Sequence, residues 1–355
     1  MRRVVISLVV GALGAALVGE LAVRILCPVC NEVERPYNPE TGPGGLRQTT
    51  YGRAEDPELA FVLRPGAKAE MIYPAWGENP ERRIVYQVNR HGFRDVDVSE
   101  TKPEGVVRVA VLGDSFTHGN GCHLEETFPK VAEATLGKEA PELPVEVLNC
   151  GVGGYNTRQQ VEIMKWRVLA LDPDLVVIAF YVNDVFPPRG DVPRRDEPEE
   201  PAGFLERAFT PLAPASRFAG LVSGWLREQR AERDHFRDFE ANYREDSPGW
   251  LRVREALEDA ARICAREGVE LRLTIVPNPA YPSANPFAAY ESQVVALAAE
   301  LGIEFLDVSP AVRDVSAAEL IVHPHDRHGS ATFNRLIGEE LGRRLLPAVR
   351  DLAGS

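Results

Sequence analysis

The stretch Val106 to His118, VVRVAVLGDSFTH, carries a hydrophobic segment straight into Gly113-Asp114-Ser115-Phe116. A short, nearly unbroken apolar run is what a strand buried on both faces of a parallel sheet requires. Gly113 lets the chain turn sharply where that run ends. The Ser115 hydroxyl is thereby set at the carboxyl end of a strand, the side of an open α/β sheet on which ligands bind. Two readings of Ser115 follow from this motif alone, a nucleophile or the N-cap of the next helix.

The same pattern repeats along the chain. Apolar runs at Val145 to Leu148 and Leu175 to Phe180, and further predicted strands at Glu270 to Ile275 and Glu304 to Val308, alternate with helical periodicity. The helices are predicted over Glu126 to Leu136, Arg158 to Leu169, Trp250 to Arg266, Phe287 to Leu301 and Ala331 to Arg350, with Ser330 capping the last. Strands alternating with helices predict a parallel sheet covered on both faces, a three-layer α/β/α sandwich. The stretch 186–248 interrupts the alternation with a Pro- and charge-rich loop and a charged helix, Ala219 to Tyr243. A surface helix and a lid over the site both fit it.

Three further segments supply parts that acyl chemistry on a serine needs. Asn149-Cys150-Gly151-Val152-Gly153-Gly154-Tyr155 follows the second apolar run. Leu175 to Asp184, LVVIAFYVND, is a buried-type strand ending in Asn-Asp. His323-Pro324-His325-Asp326-Arg327-His328-Gly329 lies near the C-terminus. In this order, with Gly-Asp-Ser first, the blocks resemble those of the SGNH/GDSL hydrolase superfamily over residues 106–350. The resemblance implies a flavodoxin-like parallel sheet and a triad of Ser115, His328 and Asp326. It also implies an oxyanion hole made by the N–H groups of Ser115 and Gly154 and the side chain of Asn183. The sequence departs from the family twice. Acid and base are more commonly spaced as DxxH, whereas here they read Asp326-x-His328, a spacing that needs extended backbone; His323 and His325 are the other candidates for the base. Tyr181-Val182 precede Asn183 where many relatives carry glycine.

A serine hydroxyl is a poor nucleophile at neutral pH, so a histidine must take its proton and a carboxylate must hold the imidazole in the right tautomer. Histidine suits the role because its ordinary pKa lies near working pH. The tetrahedral intermediate carries a new negative charge that the oxyanion donors stabilise. The expected activity is a serine esterase acting on an acyl ester, short-chain or acetyl, on a cell-envelope carbohydrate. Two alternatives stay open: an O-acyltransferase that passes the acyl group to a polysaccharide hydroxyl, and a non-catalytic glycan-binding or assembly protein of the same fold. The chain has neither a GxGxxG loop nor a metal-ligand cluster, and serine chemistry needs no cofactor or metal.

The formal charge of -13, with lysine and arginine interspersed among acids, excludes a general nucleic-acid binder. After Met1-Arg2-Arg3, residues Val4 to Val18 carry no charge, and the apolar run resumes past Glu20. Residues 1–26 therefore read as a membrane anchor of spanning length or as a cleaved signal peptide. Arg2 and Arg3 favour an N-inside orientation. The expected place of the catalytic part is thus outside the cytoplasm, at the periplasm or cell surface, or secreted if the segment is removed. No small-x-small site follows the core, and Arg24-Ile25-Leu26 is a poor lipoprotein signal for Cys27. Residues 27–104 form an extension and 105–350 the hydrolase-like domain. A turn over Asn89-Arg90-His91-Gly92-Phe93-Arg94-Asp95 ends the extension and is similar to segments ahead of the serine block in membrane-anchored bacterial members of the superfamily. Packing against the domain and lining the substrate cleft both fit it. Of the five cysteines, Cys27 and Cys30 form a CxxC, Cys264 reads as core, and Cys122 and Cys150 are either two buried thiols or a bridge near the site.

Overall fold

The computed structural model describes residues 18–22, 50–73, 81–188, 204–212, 216–324 and 326–354. Most of the expected anchor, together with Cys27, Cys30 and His325, lies outside the described residues. Among the described residues no helix is long and apolar enough to cross a membrane.

Two antiparallel hairpins come first, β1 (Tyr51–Arg53) with β2 (Phe61–Leu63) and β3 (Lys68–Tyr73) with β4 (Arg82–Gln87). There follow β5 (Val107–Gly113), α1 (Ser115–His118), α2 (Phe128–Glu139), β6 (Val145–Gly151), α3 (Thr157–Ile163) and β7 (Leu175–Phe180). The interruption holds α4 (Phe204–Phe209) and α5 (Arg217–Tyr243). Then come α6 (Pro248–Glu267), β8 (Glu270–Ile275), α7 (Ala288–Glu300), β9 (Glu304–Leu306), α8 (Ala317–Leu320), β10 (Ile321–His323), β11 (Asp326–Gly329) and α9 (Ala331–Ala353). The helix predicted over Arg158 to Leu169 is regular only to Ile163; a π turn over Met164–Val168 and a 3-10 turn over Leu169–Leu171 complete it.

The chain divides into two compact units, residues 1–37 with 193–241, and residues 38–192 with 242–355. In the first, the Glu20 carboxylate accepts hydrogen bonds from Ser216 Oγ (2.8 Å) and Phe218 N (3.1 Å) at the start of α5. In the second, five parallel strands run in the order β6-β5-β7-β8-β9. This is the flavodoxin-like order, and its direction of winding reverses between β5 and β7. The crevice beyond their carboxyl ends is where such a sheet binds ligands.

Every residue of β5 and β7 is buried, because both faces of the sheet are covered. Val107, Val109 and Val111 of β5 join Leu175, Val177 and Ala179 of β7 in one core with Phe128, Ala132 and Leu136 of α2 and Phe333, Ile337, Leu341, Leu345 and Val349 of α9. The intervening Ala110, Leu112, Val176 and Ile178 point to the other face, which α3 and α6 cover.

The α2–α9 contact is unusually close because two glycines of α9 face α2. A Cβ on Gly338 would come within 2.6 Å of Val131 Cβ and 2.7 Å of the Phe128 carbonyl, and one on Gly342 within 2.8 Å of Thr135 Cβ. The contact matters for the site, since α9 begins directly after β11, and Ser330 caps it by accepting from Phe333 N. Replacing Gly338 by valine forces α9 away from α2. The substitution is expected to lower the unfolding free energy by about 1–3 kcal/mol, measured as a reduced urea midpoint with unchanged slope; an unchanged midpoint would show that the helices separate without cost.

Candidate active site

Ser115 is the first residue of α1, immediately beyond the end of β5. The helix starts there because Asp114 caps it, its Oδ1 accepting from Phe116 N at 2.9 Å. Ser115 is therefore not the cap, and its side chain is left to other work. Its hydroxyl donates to His328 Nε2 at 2.8 Å, across 213 positions of sequence. On the other side of the ring, His328 Nδ1–H donates to Asp326 Oδ1 at 2.5 Å.

The Asp326-x-His328 spacing works because both residues lie on β11, where positions two apart face the same way. The His328 backbone N–H donates to the same Asp326 oxygen at 3.2 Å, fixing the carboxylate from a second direction. Burial alone would push the Asp326 carboxyl up; the His328 imidazole, its two hydrogen bonds and the nearby His323 outweigh burial and hold it below the ordinary carboxylate range. His323 is buried on β10 opposite Asp326 in the strand register, on the acid's side of the relay. The Phe116 ring packs between Tyr181 (4.2 Å between centroids) and the His328 imidazole (5.1 Å).

The other predicted positions stand at neighbouring strand ends. Gly154 lies in the turn after β6, half-buried and with φ of +86°. Asn183 lies in the 3-10 turn Val182–Val185 that follows β7, also half-buried. Tyr181 opens that turn in extended conformation, so it supplies the backbone geometry without a glycine. Ser115, Gly154 and Asn183 thus occupy the carboxyl ends of three adjacent strands, around the point where the sheet order reverses.

Sequence reasoning missed several buried polar residues that shape this site. Asp184 accepts from Gln160 Nε2 (2.7 Å) and Thr157 Oγ1 (3.1 Å), and burial, reinforced by Asp114, pushes its carboxyl well up. The only sequence signal for it was its place after Asn183. Arg94, from the turn upstream of the domain, is 1% exposed. Its guanidinium donates to the carbonyls of His118 (2.8 Å), Gly119 (2.6 Å) and Cys122 (2.6 Å) and lies 4.1 Å over the Tyr86 ring. Asp95 accepts from Asn149 N at 2.7 Å and pairs with Lys130. The turn over Asn89 to Asp95 therefore packs against the domain and holds both the loop after Ser115 and strand β6.

The proposed Cys122–Cys150 bridge is not formed; both thiols are free and buried. Cys122 instead donates to the Gly329 carbonyl at 3.3 Å and accepts from Asn334 Nδ2, while Cys150 sits within β6 opposite Leu112. Burial pushes the Cys122 thiol up to about 12, so it stays protonated. Cys264 is also buried and free, as a core position on α6.

The family described as GDSL-like Lipase/Acylhydrolase matches over residues 111–328. No curated protein matches the chain. Among solved structures, the chain is similar to an α/β hydrolase from the metagenome of Lake Arreo in Spain, at 16% identity over 71% of this chain and 98% of that one, with a TM-score of 0.43. It is similar to an acetylxylan esterase from Geobacillus stearothermophilus at 17% identity, over 68% of this chain and 94% of that one, TM-score 0.42. A two-domain esterase active on acetylated mannans matches at 16% identity over 69% of this chain and 50% of its own, TM-score 0.40.

One member of the serine block is available for a direct test. His118, at the end of α1, is buried with its ring stacked on Tyr86 (5.6 Å, 9° between planes), and burial, with the Arg94 charge, pushes it down to about 3. A histidine whose folded pKa lies below its unfolded value contributes stability that is present above about pH 6.5 and lost as pH falls toward about 3. The unfolding free energy of the wild type should therefore drop with falling pH more steeply than that of His118→Gln, by about 1.4 kcal/mol per pH unit between pH 6 and 4. Parallel lines in urea titrations would show that His118 binds its proton equally in both states.

Proposed function

Because the chain belongs to the GDSL-like lipase/acylhydrolase family, we propose that it is a serine ester hydrolase with Ser115 as nucleophile, His328 as general base and acid, and Asp326 as the carboxylate that orients His328. One observation carries this reading: the unbroken relay from Ser115 Oγ through both His328 nitrogens to Asp326. As Ser115 Oγ bonds to the ester carbonyl carbon, His328 Nε2 takes the hydroxyl proton, and the imidazolium is stabilised by Asp326. The carbonyl oxygen becomes an oxyanion, for which Ser115 N–H, Gly154 N–H and Asn183 Nδ2 are the proposed donors. Collapse breaks the bond to the leaving alcohol, which receives the proton from His328. Water then repeats the sequence on the acyl-enzyme and frees the acid and Ser115.

The proposed substrate is a short acyl ester, acetyl first, on a cell-envelope carbohydrate. This choice rests on a second proposal, that residues 1–26 hold the chain in a membrane with the hydrolase part outside the cytoplasm. Its support is the uncharged run Val4 to Val18 behind Arg2 and Arg3. The exposed apolar side chains of Val18 and Leu21 continue that run to its end.

Labelling, kinetics and membrane fractionation check these readings. Intact mass after treatment with a fluorophosphonate should show one adduct on the wild type and none on Ser115→Ala or His328→Ala. Asn183→Ala should keep the fold but lose about a hundred- to a thousandfold in kcat, and Asp326→Asn about ten-thousandfold. A folded wild type that takes no label sinks the esterase reading, and full activity in Asn183→Ala removes that side chain from the mechanism. For localisation, the full chain in a bacterial host should resist carbonate extraction from membranes and be cut by protease added to spheroplasts. Release by carbonate, or protection from the protease, overturns the anchored, outward-facing arrangement.

A further inference from the structure

The β1–β2 hairpin precedes the family match and takes no part in the relay, yet it reaches the nucleophile. Tyr51 Oη donates to the Gly153 carbonyl at 3.4 Å. The Tyr51 ring packs on Phe61 (5.4 Å between centroids), and Phe61 packs on Tyr155 (5.2 Å). Tyr155 in turn donates its hydroxyl to the Phe61 carbonyl at 2.5 Å, and Gln159 Nε2 donates to the Leu59 carbonyl at 2.8 Å. These contacts pin the hairpin to the turn that carries Gly154.

Gly153 shows how near Tyr51 comes to Ser115. The position that a Cβ on Gly153 would take lies 2.7 Å from Tyr51 Oη and 3.7 Å from Ser115 Cβ. Glycine at 153 therefore leaves room for the Tyr51 phenol, whose hydroxyl takes the space a side chain would occupy next to Ser115. Tyr155 is 2% exposed, whereas Tyr51 is only half-buried. A tetrahedral adduct on Ser115 spreads an acyl group and an alcohol group from one carbon, so whichever points toward Gly153 passes the phenol.

We propose that Tyr51 is a specificity-determining residue whose ring walls the substrate pocket beside Ser115 and limits the size of the ester substituent lying toward the Gly153–Gly154 turn. The proposal rests on the serine-esterase reading. The part of the chain ahead of the family match then selects the substrate as well as supporting the fold.

The test uses the full chain as wild type, Tyr51→Ala, Tyr51→Leu and Tyr51→Phe, with two ester series. One varies the acyl group from acetate to octanoate on p-nitrophenol; the other varies the bulk of the alcohol in a set of acetates. Removing the ring should raise kcat/KM for the largest relative to the smallest member of one series by about tenfold, the lower range for added methylenes in a pocket, chiefly through KM. Tyr51→Phe should keep the wild-type profile in both, because it keeps the ring. Leucine preserves an apolar contact with Phe61, so it carries the test if the alanine variant fails to fold. Unchanged ratios in both series, in folded variants that still take the fluorophosphonate on Ser115, overturn the proposal. So does a Tyr51→Phe profile shifted as far as that of Tyr51→Leu. A wild type that hydrolyses no ester and takes no label overturns the esterase reading instead.

Discussion

A guanidinium does not give up its charge inside a protein, so burying one obliges the surroundings to supply acceptors. Arg94 meets that condition with three backbone carbonyls and the face of Tyr86. The carbonyls belong to the end of α1 and the loop after it, so the charge fixes the chain just beyond Ser115. Tyr86 adds a further constraint, since its hydroxyl accepts from Gly121 N at 2.8 Å while its ring stacks on His118. Cys122 then carries the support onward to the Gly329 carbonyl, one residue past His328. The extension, the serine loop and the histidine strand are thereby tied through one buried ion. Loss of Arg94 would orphan carbonyls at the foot of the relay, which is costlier than losing a surface contact.

The relay itself joins residues 213 positions apart, and no local interaction could bring them within 2.8 Å. The distance is set by packing. Strand β5 delivers Ser115 from inside the sheet, while β11 delivers His328 just ahead of α9. The position of α9 follows from its seating against α2, where Gly338 and Gly342 permit close approach. Asn334 locks that seating from within, bonding the carbonyls of Gly329 (2.9 Å) and Ser330 (3.0 Å) as well as Phe128 N (3.2 Å). Core packing and relay geometry are in this sense one constraint.

The parts of this arrangement that depend on periodicity are legible in the sequence. Strands buried on both faces announce themselves as unbroken apolar runs, as β7 does over Leu175–Phe180, and β8 begins and ends where expected, at Glu270 and Ile275. The serine, glycine, asparagine and histidine blocks were legible as motifs, down to the DxH pair, whose requirement for extended backbone β11 meets. The rest depended on tertiary contact. Nothing in the sequence around Arg94 distinguishes a buried guanidinium from the many exposed ones, because its partners are carbonyls, which every residue has. Tyr51 is equally silent, as its nearness to Ser115 arises from a hairpin docking on a turn a hundred residues away. The cysteine bridge failed for the converse reason: nearness of two thiols to strand ends says nothing about which way each side chain faces.

Charge around the serine follows a consistent logic. In the proposed reaction the ester's carbonyl oxygen gains negative charge, so a further anion fixed nearby would oppose it. Two aspartates flank the adjacent strand ends, Asp114 after β5 and Asp184 after β7. Asp184 is fully enclosed, with neutral donors rather than a cation against its Oδ2, and burial, reinforced by Asp114, pushes its carboxyl well up. His118, buried on the other side, stays neutral and places no competing cation beside the His328 ring. Asp326 is the exception, held ionised by the imidazole it orients. Asp326 lies on the far side of His328 from Ser115, where an ionised carboxylate would stabilise the imidazolium of the proposed mechanism.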